Sequence, residues 1–188
     1  MYIYDAVSGG AKAYMVMNRM QLSDFSDHVY GSPSKKLCVI GVTGTNGKTS
    51  VASFVAQCLQ GLGCKPAVLG TLSSPLTTPE SLDIQSLMEA HVSKGGTHFV
   101  MEVSSHAIAQ DRVKHIHFSI RCLTNITQDH LDYHGNMSNY AATKFMLFHD
   151  SPAVSLALPV LLHFKQPSSP LIVYPSLSIV TSTKMAYL

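Results

Sequence analysis

Residues 37–50 read LCVIGVTGTNGKTS, and this stretch decides the fold. It starts with an apolar run typical of a buried strand, and the loop that follows contains Gly44 and Gly47. The loop ends in Lys48-Thr49, where a segment with helical spacing of apolar residues begins. A strand, a glycine-rich turn and a helix N-terminus direct backbone N–H groups and a positive dipole towards phosphate oxygens. We therefore predict a phosphate-binding loop at residues 44–50.

The glycine spacing departs from the plain phosphate-loop pattern G-x-x-x-x-G-K-[ST], because Val42 stands where that pattern has its first glycine. In the plain pattern the lysine, here Lys48, reaches the terminal phosphates, and the hydroxyl of the next residue, here Thr49, helps to hold Mg²⁺. A glycine turn without a ligand is the alternative. The strand before the loop and the helix after it favour the phosphate-binding interpretation.

The composition is that of one globular domain of moderate size. The chain has 188 residues, 46% hydrophobic and 13% charged, with a formal net charge of +2 at pH 7. Such a charge gives no reason to expect nucleic-acid or membrane partners. No apolar run typical of a signal peptide follows Met1, and we expect a cytoplasmic monomer. The cysteines lack metal-binding spacing, and we expect buried, reduced thiols at Cys38, Cys58, Cys64 and Cys122.

Strand-like and helix-like segments alternate through the middle of the chain. The predicted strands are residues 37–42, 66–72, 97–103 and 119–126. The first helix, after the loop, has its apolar positions at Val51, Phe54, Val55, Cys58, Leu59 and Leu62. The second is predicted to begin at Thr78-Pro79-Glu80, with Thr78 as the cap and Pro79 in the first turn, and the last covers residues 136–148. This alternation predicts an α/β fold with a doubly wound, mostly parallel sheet.

Polar clusters follow three of these strands, at the point where each strand ends. They are the TGTNGKT loop, the segment Glu102–His106, and the segment Asn125–His134. Because the carboxyl ends of parallel strands meet at one edge of a sheet, where ligands bind, we expect one shared site.

Taken singly, the residues of these clusters allow two interpretations each. A carboxylate at a strand end, such as Glu102, is a hard ligand for Mg²⁺ or a solvated loop residue. The acids and histidines of residues 125–135 are compatible with a metal site or with loop and helix caps. Lys144, among apolar residues, is typical of a lysine that extends along an amphipathic helix towards solvent.

Four stretches in order resemble the central ATP-binding domain of the Mur ligases, the family that builds the peptidoglycan precursor. The stretches are YGSPSKKLCVIGVTGTNGKTS (30–50), LTTPE (76–80), VMEVSSHAIAQDRV (100–113) and LTNITQDHLDYHGNMSNYAATKFMLF (123–148). Their residues and spacing are most similar to the branch of the family that adds a diamino acid. The resemblance implies an incomplete Mur ligase central domain.

The resemblance also implies a role for each matching position. The ATP-binding residues would be Gly44, Thr45, Asn46, Gly47, Lys48, Thr49 and Ser50. The residues that hold Mg²⁺ would be Thr49, Glu102, His130 and Lys144, the last as a carbamate. The substrate-binding residues would be Thr77, Thr78, Ser104, Gln110 and Arg112. Lys48 and Lys144 would be the catalytic lysines.

The implied activity is that of an ATP-dependent acid–amino-acid ligase with Mg²⁺ as cofactor. It would phosphorylate the D-glutamate side chain of UDP-MurNAc-L-Ala-D-Glu to an acyl phosphate, which the amine of meso-diaminopimelate or L-lysine attacks. Two alternatives stay open. The chain is a non-catalytic ATP-binding remnant, or it is another ligase of the superfamily such as folylpolyglutamate synthase.

The sequence departs from the family pattern at three places. The connection GTLSSPLTTPE (70–80) is shorter than the family's, and Thr143 stands where the family usually has alanine. The ends do not match, and we expect residues 1–21 to be an N-terminal stub and residues 22–150 to be a partial central domain. Residues 151–188 contain no acidic residue, and we expect a tail that is foreign to the fold, as after a frameshift.

Overall fold

The computed structural model describes residues 15–149 and two short strands beyond them. The helices are α1 (Arg19–Val29), α2 (Lys48–Gly61), α3 (Ser81–Ser93), α4 (Ser105–Ala109), α5 (Leu131–His134) and α6 (Met137–Met146), with a 3₁₀ turn at Pro33–Lys36. The strands are β1 (Cys38–Thr43), β2 (Pro66–Leu69), β3 (His98–Glu102), β4 (Ile120–Leu123), β5 (Val154–Ala157) and β6 (Ile179–Val180).

The strands form one sheet in the order β2-β3-β1-β4-β5-β6. All neighbours pair in parallel except β6, which pairs antiparallel with β5. The α/β prediction, with a doubly wound and mostly parallel sheet, is confirmed. The sequence order and spatial order differ because each parallel pair needs a crossover connection, which the helices supply.

The helices cover both faces of the sheet. On one face Ile40 and Val42 of β1 pack in a cluster with Ala52 and Ala56 of α2. On the other face, Val39 belongs to a larger cluster with side chains of α3 and α4. Successive residues of β1 therefore point to opposite layers, which is why this strand is apolar throughout.

The register brings the polar clusters to one edge, as expected. Val42 of β1 lies beside Glu102 of β3, and Thr43 lies beside Leu123 of β4. The loops that follow these three strands therefore start within neighbouring positions of the sheet edge. The predicted convergence at the carboxyl ends is confirmed.

Helix α2 buries a different face from the predicted apolar spacing. The fully buried residues are Ala52 and Ala56, whereas Phe54 is 64% exposed and Leu62 is exposed as well. Small side chains allow the helix to lie close to the central strands, and the larger residues are left at the outer side of the helix. The spacing of apolar residues correctly predicted a helix. It wrongly predicted that Phe54 and Leu62 belong to its buried face.

Helix α3 begins two residues later than predicted, with Glu80 instead of Thr78 at the N-cap position and Pro79 before it. Thr78 does not cap the helix. Its hydroxyl donates to the carbonyl of Glu102 at 2.9 Å and accepts from the N–H of Ser104 at 3.0 Å. The predicted cap is wrong because Thr78 joins the end of β3 instead.

Strand β2 is also shorter than the predicted 66–72. It ends at Leu69, and the next N–H groups leave the ladder: that of Gly70 donates to the Ser73 hydroxyl and that of Thr71 to the Glu102 carboxylate, both at 3.0 Å. The expected burial of all four cysteines is wrong as well. Cys122 is buried, Cys38 and Cys64 are half-buried, and Cys58 is exposed, although all four are free thiols.

Helix α1 was not predicted from the sequence. A capping box begins it: Asn18 accepts from the Gln21 N–H, and the Gln21 side chain accepts from the Asn18 N–H. The helix starts at Arg19, within the segment 1–21 expected as a stub. At the other end, β5 lies in the segment expected as a tail and pairs in parallel with β4. The division of the chain into stub, partial domain and tail stays a prediction.

We predict that Gly44→Ala destabilises the fold by about 2 kcal/mol or more, because strain and overpacking each cost about 1–3 kcal/mol. Gly44 has a φ of 142°, and a Cβ there would overlap the Thr124 hydroxyl. Urea denaturation measures the free energy of unfolding. Gly61→Ala is the matched control, because a Cβ at Gly61 meets nothing within 4 Å. Equal losses in the two variants would contradict the prediction.

Candidate nucleotide and ligase site

The phosphate loop is held in a shape that its glycines make possible. Gly47, at the N-cap of α2, has the left-handed φ of 82°. Asn46 is held from both sides, since its N–H donates to the Asn125 side chain at 2.9 Å and its carbonyl accepts from Asn125 at 3.0 Å. The Thr124 hydroxyl donates to the same carbonyl at 2.6 Å. The loop after β4 therefore fixes the loop after β1.

Lys48 folds back over this loop. Its ammonium group donates to the carbonyls of Gly44 at 2.9 Å and Thr45 at 2.8 Å. Burial lowers the pKa of Lys48, and the nearby carboxylates of Glu102 and Asp129 oppose that shift. The side chain thus holds its positive group against the predicted phosphate-binding loop.

Glu102 lies at the end of β3 and is 1% exposed. Its carboxylate accepts from the Thr49 hydroxyl at 3.0 Å and from the Thr71 N–H at 3.0 Å. The alternative of a solvated loop carboxylate is wrong, because the side chain is enclosed between the first turn of α2 and the end of β2. A buried carboxylate next to a hydroxyl is a set of hard oxygen donors.

Lys144 of α6 is buried, with an exposed fraction of 1%. Its ammonium group donates to the Gly44 carbonyl at 3.0 Å and lies 4.8 Å from the centre of the Tyr140 ring. Burial and the positive charge of Lys48 lower its pKa to about 7. The interpretation of a lysine reaching towards solvent is wrong, since the side chain points into the domain.

Tyr140 connects α6 to the loop from a fully buried position. Its hydroxyl group is 3.0 Å from the Thr45 hydroxyl, which in turn donates to the Thr127 carbonyl at 3.1 Å. These contacts fix α6 against the loop and so fix where Lys144 lies. Burial raises the pKa of Tyr140, and the hydrogen bond with Thr45 opposes that shift.

His130 lies on the exposed side of the site and has a left-handed φ of 51°. Its ring is 4.7 Å from the ring of His106, centre to centre, and its Nε2 is 3.5 Å from the Asp129 carboxylate. The pKa of His106 is lowered by burial and then by His130. His130 is therefore one member of an aromatic group over α4 rather than a direct partner of Glu102.

Four of the five predicted substrate-binding residues are linked by hydrogen bonds beyond the end of β3. Arg112 donates from Nη1 to the Thr78 carbonyl at 2.9 Å and from Nη2 to the Gln110 side chain at 2.6 Å. Ser104 joins them through its N–H bond to Thr78 and caps α4. Thr77 lies apart from Arg112, with its hydroxyl 3.2 Å from that of Thr71.

A cavity of about 270 Å³ opens between α2 and the turn after β2. Its lining residues are Thr49, Ser53, Ala56, Gln57, Gln60, Val68, Gly70, Leu72, Ser73 and Glu102. Thr49 and Glu102 thus face both the loop and an open space beside it.

The residues present fit ATP and Mg²⁺. Glu102 and Thr49 supply oxygens, and the loop supplies N–H groups and Lys48. In residues 15–149, no group of three or more His, Cys, Asp and Glu side chains is placed to hold a metal ion. Mg²⁺ at nucleotide sites takes one or two protein ligands besides phosphate and water, so a pair of donors is what such a site requires.

Sequence reasoning missed several residues that shape this site. Thr71 holds Glu102, Thr124 holds Asn46, and Tyr140 holds Thr45. Thr124 directly follows β4 and Thr71 lies two residues after β2, so the rule that places ligands at strand ends could have found them. Tyr140 is a helix residue whose role depends on where α6 packs.

The sequence pattern of the Mur ligase middle domain matches residues 42–161. The chain belongs to this family. The match continues past Asp150, where the sequence analysis placed the end of the domain.

Named relatives support the assignment to the Mur ligases. A UDP-N-acetylmuramoyl-L-alanyl-D-glutamate–2,6-diaminopimelate ligase of Pseudomonas putida is 49% identical over 138 residues, 68% of this chain and 28% of the relative. The ligase of the same name from Nitrosomonas europaea is 42% identical over 139 residues, 69% of this chain and 27% of the relative. The chain therefore spans less than a third of the length of these relatives.

Solved structures support the fold. A structure of a UDP-N-acetylmuramoyl-L-alanyl-D-glutamate–2,6-diaminopimelate ligase has a TM-score of 0.60 at 30% identity, covering 74% of this chain and 31% of that one. A Mycobacterium tuberculosis folylpolyglutamate synthase complexed with ADP and AMPPCP also has a TM-score of 0.60, at 20% identity, covering 76% and 42%. The second likeness shows a shared fold alone. In the described part of the chain, no helix combines the length and the apolar character needed to cross a membrane.

We predict that Lys144 makes stability rise with pH. Its folded pKa of about 7 lies below the ordinary 10.5, so between these values the unfolded chain binds more protons than the folded one. The free energy of unfolding should therefore increase from pH 7 to pH 9. Lys144→Met should show a smaller increase, because the contribution of Lys144 is lost. The pKa of Lys48 is also lowered, and this lysine contributes in both proteins. Urea denaturation in CO₂-free buffer at several pH values measures the free energy of unfolding. An equal increase with pH in the two proteins would contradict the prediction.

Proposed function

We propose that this chain carries the nucleotide site of an ATP-dependent acid–amino-acid ligase. The reaction is the addition of a diamino acid, 2,6-diaminopimelate as in the names of the relatives, to UDP-MurNAc-L-Ala-D-Glu. The observation that carries the proposal is the convergence of Lys48, Lys144 and the Glu102–Thr49 pair around the loop that Gly44 begins. Family membership and the 49% identity to a named ligase support the choice of reaction.

In this proposal the γ-phosphoryl group passes to the side-chain carboxylate of D-glutamate, and the amine of the diamino acid then displaces phosphate. Residues Gly44–Ser50 bind the phosphates of ATP through N–H groups at the start of α2. Lys48 offsets negative charge on the terminal phosphate. Thr49 and Glu102 would hold one Mg²⁺ ion, and His130 would hold a second. Bound Mg²⁺ supplies further positive charge against the phosphate oxygens.

Lys144 supports the proposal through its environment. A lysine reacts with CO₂ only as the neutral amine: a nitrogen–carbon bond forms, a proton leaves, and a carbamate anion results. Burial beside Lys48 lowers the pKa of Lys144 to about 7, so much of the amine is neutral near pH 7. The carbamate would replace two neighbouring positive charges with an opposite pair and would offer oxygens to Mg²⁺.

The arrangement of the predicted substrate-binding residues supports the proposed acceptor substrate. Thr78, Ser104, Gln110 and Arg112 are linked to one another by hydrogen bonds, and Thr78 also bonds the Glu102 carbonyl. Thr77 lies next to Thr71, which itself contacts Glu102. The predicted acceptor residues thus lie near Glu102, which also contacts Thr49 of the predicted ATP-binding loop.

We expect Lys48→Ala to weaken Mg-ATP binding at least roughly tenfold, because a charge-assisted contact to phosphate is lost. Titration calorimetry on the full chain measures the dissociation constant. Lys94→Ala, which removes an exposed lysine at the far end of α3, is the matched control and should bind like the unchanged chain. Equal binding by Lys48→Ala and the unchanged chain would refute the nucleotide assignment.

The ligase reaction itself requires a separate test. Phosphate release from Mg-ATP should need both UDP-MurNAc-L-Ala-D-Glu and diaminopimelate, and Lys144→Met should abolish it. ATP binding without such release would identify a non-catalytic ATP-binding remnant. Saturable binding of folate, without binding of the muramoyl substrate, would identify a ligase of the folylpolyglutamate synthase type.

A further inference from the structure

Two arginines from distant parts of the chain meet on one carboxylate beside the predicted substrate residues. Arg19 is the first residue of α1, and Arg112 follows α4. Glu80, at the N-cap of α3, lies between them. The sequence analysis assigned a role to Arg112 and none to Arg19 or Glu80.

The contacts of this group are short and shared. Arg19 Nη1 lies 3.1 Å and 3.2 Å from the two carboxylate oxygens of Glu80, and Arg112 Nη2 lies 3.2 Å from one of them. Both arginines also donate to the side-chain oxygen of Gln110, at 2.9 Å from Arg19 and 2.6 Å from Arg112. One carboxylate and one amide oxygen therefore align two guanidinium groups side by side.

The group keeps an excess of positive charge and of donors. Two guanidinium groups and one carboxylate leave a formal charge of +1. The bonds of Arg19 all use Nη1, so Nη2 and Nε have no partner among the described residues, and neither has the buried Nε of Arg112. The Arg19 side chain is 49% exposed, whereas that of Arg112 is 14% exposed. The Arg112 guanidinium group is thus mostly buried, and the Arg19 group is accessible to solvent.

We propose that Arg19 is a substrate-binding residue, which forms with Arg112 a paired site for the diphosphate of the muramoyl nucleotide. This inference rests on the proposed function, because it assumes that Gln110 and Arg112 contact that substrate. A planar guanidinium group presents its donors in a fork that suits phosphate oxygens, and two such forks side by side suit a diphosphate. Glu80 is a positioning residue, since it orients both arginines through its own oxygens.

A purely structural role makes a different prediction. If Arg19 only attaches α1 to the start of α3, its loss lowers stability and leaves ligand affinity unchanged. An exposed ion pair of this kind contributes about 1 kcal/mol or less to stability, so the variants are expected to fold. Ligand affinity, rather than stability, is therefore the readout that separates the two roles.

The test uses the full chain with Lys48→Ala, which is expected to weaken competing phosphate binding at the loop. Titration calorimetry measures binding of UDP-MurNAc-L-Ala-D-Glu and, separately, of inorganic pyrophosphate. Into this background we introduce Arg19→Gln and Arg19→Lys. The matched control is Lys94→Gln, which removes one positive charge at the other end of α3. Thermal denaturation of each variant checks the fold.

We expect Arg19→Gln to weaken binding of both ligands roughly five- to tenfold, and Arg19→Lys to restore part of it, with Lys94→Gln unchanged. Unchanged affinity in Arg19→Gln, or equal losses in Arg19→Gln and Lys94→Gln, would overturn the proposal. If pyrophosphate binds through Arg19 and the muramoyl nucleotide does not bind, the anion-binding pair is supported and the proposed substrate fails. If neither ligand binds, the pair is overturned.

Discussion

The backbone at Gly44 is the constraint on which the site depends. Its positive φ brings the loop against Thr124 and turns its carbonyl towards the interior, where the ammonium groups of Lys48 and Lys144 both donate to it. One carbonyl oxygen thus holds two lysines from positions almost one hundred residues apart, and the low pKa of Lys144 follows from that closeness and from burial. A side chain at this position would displace the loop from the strand that fixes it.

The parallel register is the second level of organisation. It sets Val42 beside Glu102, so that the loop after β1 and the carboxylate that ends β3 become neighbours without any local sequence signal. Glu102 is then enclosed by Thr49 and Thr71, which come from the segments after β1 and β2. The meeting of the loop with Glu102 is therefore a product of strand order, and the helices stabilise the sheet by covering both faces.

Solved structures of a Mur ligase and of folylpolyglutamate synthases resemble this fold to the same degree, with TM-scores of 0.60. Folylpolyglutamate synthases share the fold at 20% identity or less, and the Mur ligase structure shares it at 30%. A fold shared so widely does not by itself determine the substrate. Around Arg112, a predicted substrate residue, this chain combines Glu80, Gln110 and Arg19 into one hydrogen-bonded group.

The sequence by itself determined the strand–loop–helix unit at residues 37–61 and the alternation that makes the sheet parallel. Both are local: apolar runs, glycines at turns and helical spacing act over short stretches of chain. It did not determine which face α2 buries, because Ala52 and Ala56 are buried for their small size against the sheet. Nor did it reveal α1, whose capping box, Asn18 and Gln21, needs no apolar periodicity.

The burial of the charged residues depends on tertiary packing. Glu102 and Lys144 could each have been solvated as far as their neighbours in sequence show, and the packing of β3 and α6 buries both. Thr78 is of a residue type that often caps helices. Its hydroxyl instead donates to the carbonyl of Glu102 at the end of β3, which packs next to it. Burial, shared acceptors and the meeting of Arg19 with Arg112 are long-range contacts, and no short stretch of sequence contains both partners.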